Sequence, residues 1–213
     1  MYWKERRSAM PIEPIQAKLL EAYRFAKKAH EGMERKDGTP FMEHPIRVAF
    51  RVVATESNTF HSLPLLDCQI VALLHDVIED TDHTKETLIG AGFGKWANDV
   101  YVLSRRAPQE CEFCAPQWDT THMVSDRCRL EKGEAACQSH WEYIVAVREY
   151  AILNSYDHER KKNDDWRFDT VIRVKRADIE DNMVTSDRFG PGMLPRYEES
   201  LRILLTEGAE RER

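Results

Sequence analysis

An all-α fold is what this sequence predicts. Apolar side chains recur at steps of three and four residues through most of the chain, which is the spacing of one helix face. No stretch of any length alternates apolar and polar residues as a half-buried strand would. Proline, glycine, threonine and aspartate stand where one periodic stretch gives way to the next, as helix starts and stops do.

Ile15, Leu19, Ala22, Ala26 and Ala29 form the first apolar face, with Pro14 acceptable in the first turn. Gly32 and Asp37-Gly38-Thr39-Pro40 end that helix in a loop. A second helix opens with Pro45 and runs through Ile46, Ala49, Val52 and Val53. A third begins near Pro64 and carries Ile70, Leu73, Leu74, Val77 and Ile78, up to Asp80. Thr81 to Thr84 supply caps for a short helix that stops at Gly90-Ala91-Gly92. Another helix covers 95–104. Positions 107–139 change character, with Pro108, Pro116, Gly133, four cysteines and little periodicity. They read as a Cys-rich loop inserted on the surface of a helical domain. Helix resumes over 140–153, followed by a polar loop at 157–165 and a helix over 169–187. Gly190-Pro191-Gly192 breaks the pattern before a last helix over 194–206 and a charged tail.

The chain has 213 residues, of which 42% are hydrophobic. That is enough to bury a core without disulfides or a metal. At about 150 residues per domain, one domain over 1–213 with an insertion is expected. The 37 acidic and 31 basic residues leave a net charge of −6, which argues against a binder of nucleic-acid backbone. Mean hydropathy is −0.60, and no apolar run approaches the roughly 18 residues of a membrane span. The first residues carry charges with no apolar stretch after them, so no secretory signal is expected. Five cysteines, an odd number, favour a reducing cytoplasm over a disulfide framework.

The strongest local signal is Leu73-Leu74-His75-Asp76-Val77-Ile78-Glu79-Asp80-Thr81. The apolar residues before it would bury this helix, and buried carboxylates are costly unless paired or bound to a metal. On a helix, His75 and Glu79 are i, i+4 neighbours, as are Asp76 and Asp80. The plainer alternative is a capped helix end with solvated acids. Two other places offer partners. His44, in Met42-Glu43-His44-Pro45, precedes a helix start and on its own reads as a capping or surface histidine. Asp178, Asn182 and Thr185 share a helix face in the segment beginning Arg173-Val174-Lys175-Arg176-Ala177, which alone could be an ordinary charged amphipathic helix.

Together, Arg35-Lys36-Asp37-Gly38-Thr39-Pro40-Phe41-Met42-Glu43-His44-Pro45, Ala72 to Thr81 and Val174 to Met183 resemble the HD-domain metal-dependent phosphohydrolases. Within these, the sequence is most similar to the hydrolase domain of the RelA/SpoT family and the small alarmone hydrolases. The resemblance runs from Ala26 to about Leu205 and leaves 107–139 unmatched. It implies a helical HD-domain bundle. It implies metal ligands at His44, His75, Asp76 and Asp178 for a divalent ion of the Mn²⁺ type. It implies a catalytic acidic pair at Glu79 and Asp80. Asn182, with Thr185 beside it, is implied to steady substrate phosphate or ribose, and Arg35 and Lys36 to bind the nucleotide. The implied reaction is (p)ppGpp 3′-pyrophosphohydrolysis, giving GDP or GTP and pyrophosphate. The metal site alone would equally serve a phosphatase acting on the 2′-phosphate of NADPH or on a nucleoside monophosphate. A non-catalytic nucleotide sensor is the reading of a different class, though it has no need of Glu79 and Asp80. Lys175 and Arg176 face either the phosphates or solvent. His30, His61, His83, His122 and His158 match no role and read as surface or packing residues.

Cys111-x2-Cys114, then 22 residues, then Cys137-x2-His140 is the spacing of a structural zinc site. Cys128 could replace His140 as the fourth ligand, with His122 a weaker choice. Such a metal would clip a long insertion. The alternative is a loop with incidental thiols.

Overall fold

The computed structural model describes residues 14–56, 65–105, 138–155, 169–185 and 193–206. The helices are α1 (Pro14–Ala29), α2 (Glu43–Glu56), α3 (Leu65–Leu74), α4 (Val77–Asp80), α5 (Lys85–Leu88), α6 (Ala97–Leu103), α7 (His140–Ser155), α8 (Thr170–Val184) and α9 (Met193–Leu205). A π-turn, Ile89–Phe93, continues α5. Among the described residues no strand forms, and the β pairing present is an isolated bridge between Glu34 and Pro40. The all-α expectation is borne out. No described helix is long and apolar enough to cross a membrane. The expected insertion at 107–139, save its last two positions, and the loop at 157–165 lie outside the described residues.

Two helices organise the rest. α3 packs against α1, α2 and α8, while α8 also touches α6, α7 and α9. α3 is apolar almost all round, and Ile70, Val71, Ala72 and Leu74 are fully buried, as expected of a central helix. On α1, Ala22 and Ala26 are fully buried, and their small side chains allow close approach to α3. Local signals place the ends. Thr84 caps α5 in a reciprocal capping box with Thr87. Ser139 and Glu142 do the same at α7: Glu142 N–H donates to Ser139 Oγ at 3.3 Å, and Ser139 N–H donates to Glu142 Oε2 at 2.8 Å. Asp169 caps α8 by accepting from Val171 N–H at 2.9 Å.

The helix expected over 95–104 is shorter, Ala97–Leu103, and three further differences have a physical reason. α2 begins at Glu43, two residues before Pro45. A first-turn N–H has no intrahelical acceptor, so proline costs nothing there. The α5 helix does not stop at Gly90 but widens into the π-turn, and it bends at Gly92, whose φ is 83°. That conformation is open to glycine, and Lys18 Nζ lies 3.0 Å from where a Cβ would sit. The helix expected to run without a break to Asp80 is interrupted. The helix breaks after Leu74, and His75 and Asp76 form a turn before α4. The His75 ring Nδ1 lies 2.7 Å from the Ala72 carbonyl. That carbonyl is the one a continuing helix would offer to Asp76 N–H, so the ring competes with the backbone for it. Asp76 adopts φ −91°, ψ −6°, and Asp80 N–H still donates to Asp76 C=O at 2.9 Å.

Leu74 is fully buried, whereas Leu153 is 75% exposed. Leu74→Ala is expected to cost about 2–5 kcal/mol and Leu153→Ala less than about 0.5 kcal/mol. Urea unfolding followed by circular dichroism measures both.

Candidate metal and catalytic site

His44 enters from the first turn of α2, His75 and Asp76 from the turn after α3, and Asp178 from the middle of α8. His44 and His75 are 3% and 2% exposed, and Asp178 is 5% exposed. Each imidazole is anchored through Nδ1. His44 Nδ1–H donates to Asp181 Oδ2 at 2.9 Å, and His75 Nδ1–H donates to the Ala72 carbonyl. Partners that only accept place the hydrogen on Nδ1 and aim Nε2 inward. The two Nε2 atoms converge on the same carboxylates. His44 Nε2 is 3.0 Å from Asp178 Oδ1 and 3.8 Å from Asp76 Oδ2. His75 Nε2 is 3.0 Å from Asp76 Oδ1 and 3.9 Å from Asp178 Oδ1.

The geometry at His75 Nε2 makes no hydrogen bond, so a buried nitrogen faces two carboxylates without a hydrogen-bond partner. A cation satisfies such a group. Ligand atoms of His44, His75 and Asp76 lie within 4.8 Å of one another and could hold a metal ion. With Asp178 alongside, the set is two imidazole nitrogens and two carboxylates, which fits a first-row divalent ion.

The surrounding charges make this cluster tolerable inside the protein. Burial pulls the His44 pKa down, but hydrogen bonds to Asp178 and Asp181 outweigh it and raise it to about 9. Burial works against ionisation of Asp178, yet Lys175 and His44 hold it well below the usual carboxylate range. Lys175 donates to Asp178 Oδ2 at 2.7 Å and lies 4.7 Å over the Tyr143 ring. Desolvation alone would discharge Lys175. Asp178, Tyr143 and Glu79 instead keep its pKa well above the ordinary lysine value.

Glu79 and Asp80 stand on α4 beside the cluster, with surface open to solvent. Glu79 Oε2 accepts from Arg105 N–H at 2.8 Å. Loss of hydration, opposed by Lys175 and assisted by Asp76, pushes Glu79 up to about 6. Loss of hydration, then Asp76 and Glu79, push Asp80 up to about 7. Solvent at both side chains screens this crowding. Carboxyls in this range exchange protons near neutral pH, as a group handling a water proton must.

The 35–39 loop closes on itself. Arg35 N–H donates to Thr39 C=O at 2.9 Å and Gly38 N–H to Arg35 C=O at 2.8 Å, with Gly38 at φ 79°. Arg35 then reaches the cluster. Its Nη2–H donates to Asn182 Oδ1 at 3.0 Å, and Asn182 Nδ2–H donates to Asp178 Oδ1 at 2.7 Å.

The structure thus draws together Arg35, His44, His75, Asp76, Glu79, Asp80, Asp178 and Asn182. Lys36 is exposed on the loop. The Thr185 hydroxyl is committed to its own helix, donating to Asp181 C=O at 3.0 Å and lying 3.3 Å from Asn182 C=O. Lys175 and Arg176, left open between phosphates and solvent, part company. Lys175 turns into the site, while Arg176 pairs with Glu180 at 2.8 Å and is half-exposed. His30 packs its ring on Phe41 at 4.5 Å, and the His83 ring lies 5.0 Å from Phe25. Cys111, Cys114, Cys128, Cys137, His61, His122 and His158 lie outside the described residues. His140, the described zinc candidate, has Nε2 2.7 Å from Ser200 Oγ. Burial, then Arg196, lower its pKa to about 3.

Asp181, Arg47 and Arg51 join the site without having stood out in the sequence. Asp181 is fully buried and accepts from His44, Arg47 and Arg51. The available signal was its spacing, three residues after Asp178 and on the same helix face.

No family model matches the chain. Curated relatives do match. The chain is 44% identical over 82 residues to a guanosine-3′,5′-bis(diphosphate) 3′-pyrophosphohydrolase of Vibrio cholerae, covering 38% of this chain and 10% of that protein. It is 46% identical over 70 residues to the human enzyme of that name, MESH1, covering 32% of this chain and 36% of that protein. The zebrafish (Danio rerio) MESH1 is 42% identical over 76 residues, covering 34% and 38%. The chain therefore spans well under half the length of these relatives. A solved structure described as a metazoan ortholog of SpoT that hydrolyses ppGpp aligns with a TM-score of 0.49 and 20% identity, covering 88% of this chain and 83% of that one. The resemblance to alarmone hydrolases read from the three sequence segments is borne out by the sequence relatives.

An ion at His44 Nε2 needs that nitrogen deprotonated. The metal-free ring has a pKa raised from 6.5 to about 9. In the metal-free protein its stabilising effect is present in full below pH 6.5 and is lost as pH rises through about 9. Mn²⁺ binding at pH about 7.5 is therefore expected to release about one proton, with affinity rising as pH climbs toward 9. Calorimetry in two buffers of different ionisation enthalpy measures the release, and His44→Ala is expected to abolish it.

Proposed function

We propose that this chain is a metal-dependent phosphohydrolase acting on (p)ppGpp at its 3′-pyrophosphate, with Mn²⁺ or a similar divalent ion as cofactor. The observation that carries the reading is the buried convergence of His44, His75, Asp76 and Asp178 beside the solvent-facing pair Glu79 and Asp80. The activity that names the sequence relatives, guanosine-3′,5′-bis(diphosphate) 3′-pyrophosphohydrolysis, supplies the substrate class.

His44, His75, Asp76 and Asp178 would hold the ion, which when bound supplies polarisation of a phosphoryl oxygen and a more acidic water. The remaining chemistry belongs to the chain's own residues. Arg35 reaches the site from the closed 35–39 loop and offers a guanidinium plane to the purine and charge to the phosphates. Asn182, tethered between Arg35 and Asp178, offers its amide to ribose or phosphate. Lys36, exposed on the same loop, meets the outer phosphates. Glu79 and Asp80 orient a water and take up its proton as it attacks the phosphorus joined to the 3′ oxygen. The O3′–P bond breaks, its electron pair stays on the 3′ oxygen, that oxygen is protonated, and pyrophosphate leaves. In this reading the chain works as one cytoplasmic hydrolase domain. A structural zinc held by Cys111, Cys114, Cys137 and His140, with Cys128 as the alternate fourth ligand, is part of the same proposal, and these cysteines lie outside the described residues.

The test is product analysis with Mn²⁺-loaded protein against ppGpp, NADPH and nucleoside monophosphates. Pyrophosphate and GDP from ppGpp are expected. Orthophosphate from the other substrates, with ppGpp untouched, would overturn the reading. Glu79→Gln and Asp80→Asn are each expected to lower kcat by about 10²- to 10⁴-fold while Mn²⁺ still binds. Arg35→Ala is expected to act mainly on KM.

A further inference from the structure

Asp181 carries no role in the scheme above, yet its side chain is fully buried on α8. A buried carboxylate is costly unless its oxygens are satisfied, and among the described residues its side-chain hydrogen bonds come from α2. Arg47 Nε lies 3.0 and 3.1 Å from the two oxygens, and Arg47 Nη2 donates to Oδ2 at 3.0 Å. Arg51 Nε donates to Oδ1 at 3.1 Å. His44 Nδ1–H donates to Oδ2 at 2.9 Å. Two guanidinium groups on one carboxylate keep it an acceptor, so the His44 nitrogen facing it must carry the hydrogen. The other nitrogen, Nε2, then points toward Asp178 Oδ1 at 3.0 Å. Rotating the ring would break both contacts.

The spacing makes this a joint between helices. Arg47 and Arg51 follow His44 by three and seven residues on α2, and Asp181 follows Asp178 by three on α8, so each set shares a helix face. One carboxylate therefore fixes the ring's tautomer, its rotation and the register of α2 against α8.

We infer that Asp181, held by Arg47 and Arg51, is the positioning residue of the site, aiming His44 Nε2 into the cluster formed with His75, Asp76 and Asp178. The inference rests on the ion-binding reading. Carboxylates behind metal-binding histidines raise ion affinity by about 10- to 100-fold, whereas a purely structural tie would affect stability alone.

The experiment titrates metal-free protein with Mn²⁺ and follows the paramagnetic resonance of the free ion. Asp181→Asn keeps the shape but loses the charge and can offer its amide N–H to the ring, which admits the opposite tautomer. The expected result is an Mn²⁺ Kd weakened by about 10- to 100-fold, with the circular dichroism of the metal-free protein unchanged. A Kd within about twofold of wild type, accompanied by a lower Tm, would overturn the positioning role. If Asp181→Asn does not fold, Arg47→Gln decides. It leaves Asp181 and His44 in place and is expected to weaken Mn²⁺ by at least about threefold, and no change would overturn the inference. A wild-type protein that takes up no Mn²⁺ would overturn the ion-binding reading itself. Equal binding by wild type and variant would remove only the role of Asp181.

Discussion

Charge buried at the meeting of α2, α3 and α8 is the constraint on which the rest of the molecule depends. Asp178, Asp181, His44 and His75 are all nearly inaccessible to solvent. Moving isolated ions into such a place costs many kcal/mol. The structure offsets this by pairing: Lys175 on Asp178, Arg47 and Arg51 on Asp181, and His44 between the two carboxylates. Removing one member leaves an uncompensated buried charge, which is more damaging than replacing the whole network. One nitrogen, His75 Nε2, remains without a hydrogen-bond partner inside this satisfied network, and the chemistry of the site is read from that atom.

The fold serves this meeting point. The break after Leu74 turns His75 and Asp76 toward α8, while α4 keeps Glu79 and Asp80 within reach of the same place. α1 and the apolar faces of α3 and α8 form the wall behind it. The 35–39 turn supplies its cation from outside, through Arg35 and Asn182 to Asp178. The side chains that would hold the ion thus come from α2, α8 and the turn after α3, whereas Glu79, Asp80 and Lys36 stand exposed on α4 and the 35–39 loop.

Much of this was legible in the chain. Apolar spacing and cap residues located the helices, because those signals act within a few residues of one another. The His75-Asp76 pair stood out because acids after an apolar helix demand a partner. Only the resemblance joined it to His44 and Asp178, which are distant in sequence. Less legible was the helix break, since a ring competing for a carbonyl three residues back leaves no trace in periodicity. Asp181, Arg47 and Arg51 did not stand out in the sequence, because a salt bridge across more than a hundred residues shows only once α2 and α8 are packed. Lys175 and Arg176 are adjacent and chemically alike, and only the direction of each side chain from α8 separates the buried ion pair from the surface one.

In the proposed site four side chains, from α2, from α8 and from the turn after α3, meet around one divalent ion. Anomalous diffraction from crystals soaked in Mn²⁺ tests it most directly. A single strong peak is expected within coordination distance of His44 Nε2, His75 Nε2, Asp76 and Asp178, lost in Asp76→Ala crystals. A peak held only by Glu79 and Asp80, or none among these side chains at saturating Mn²⁺, would contradict it.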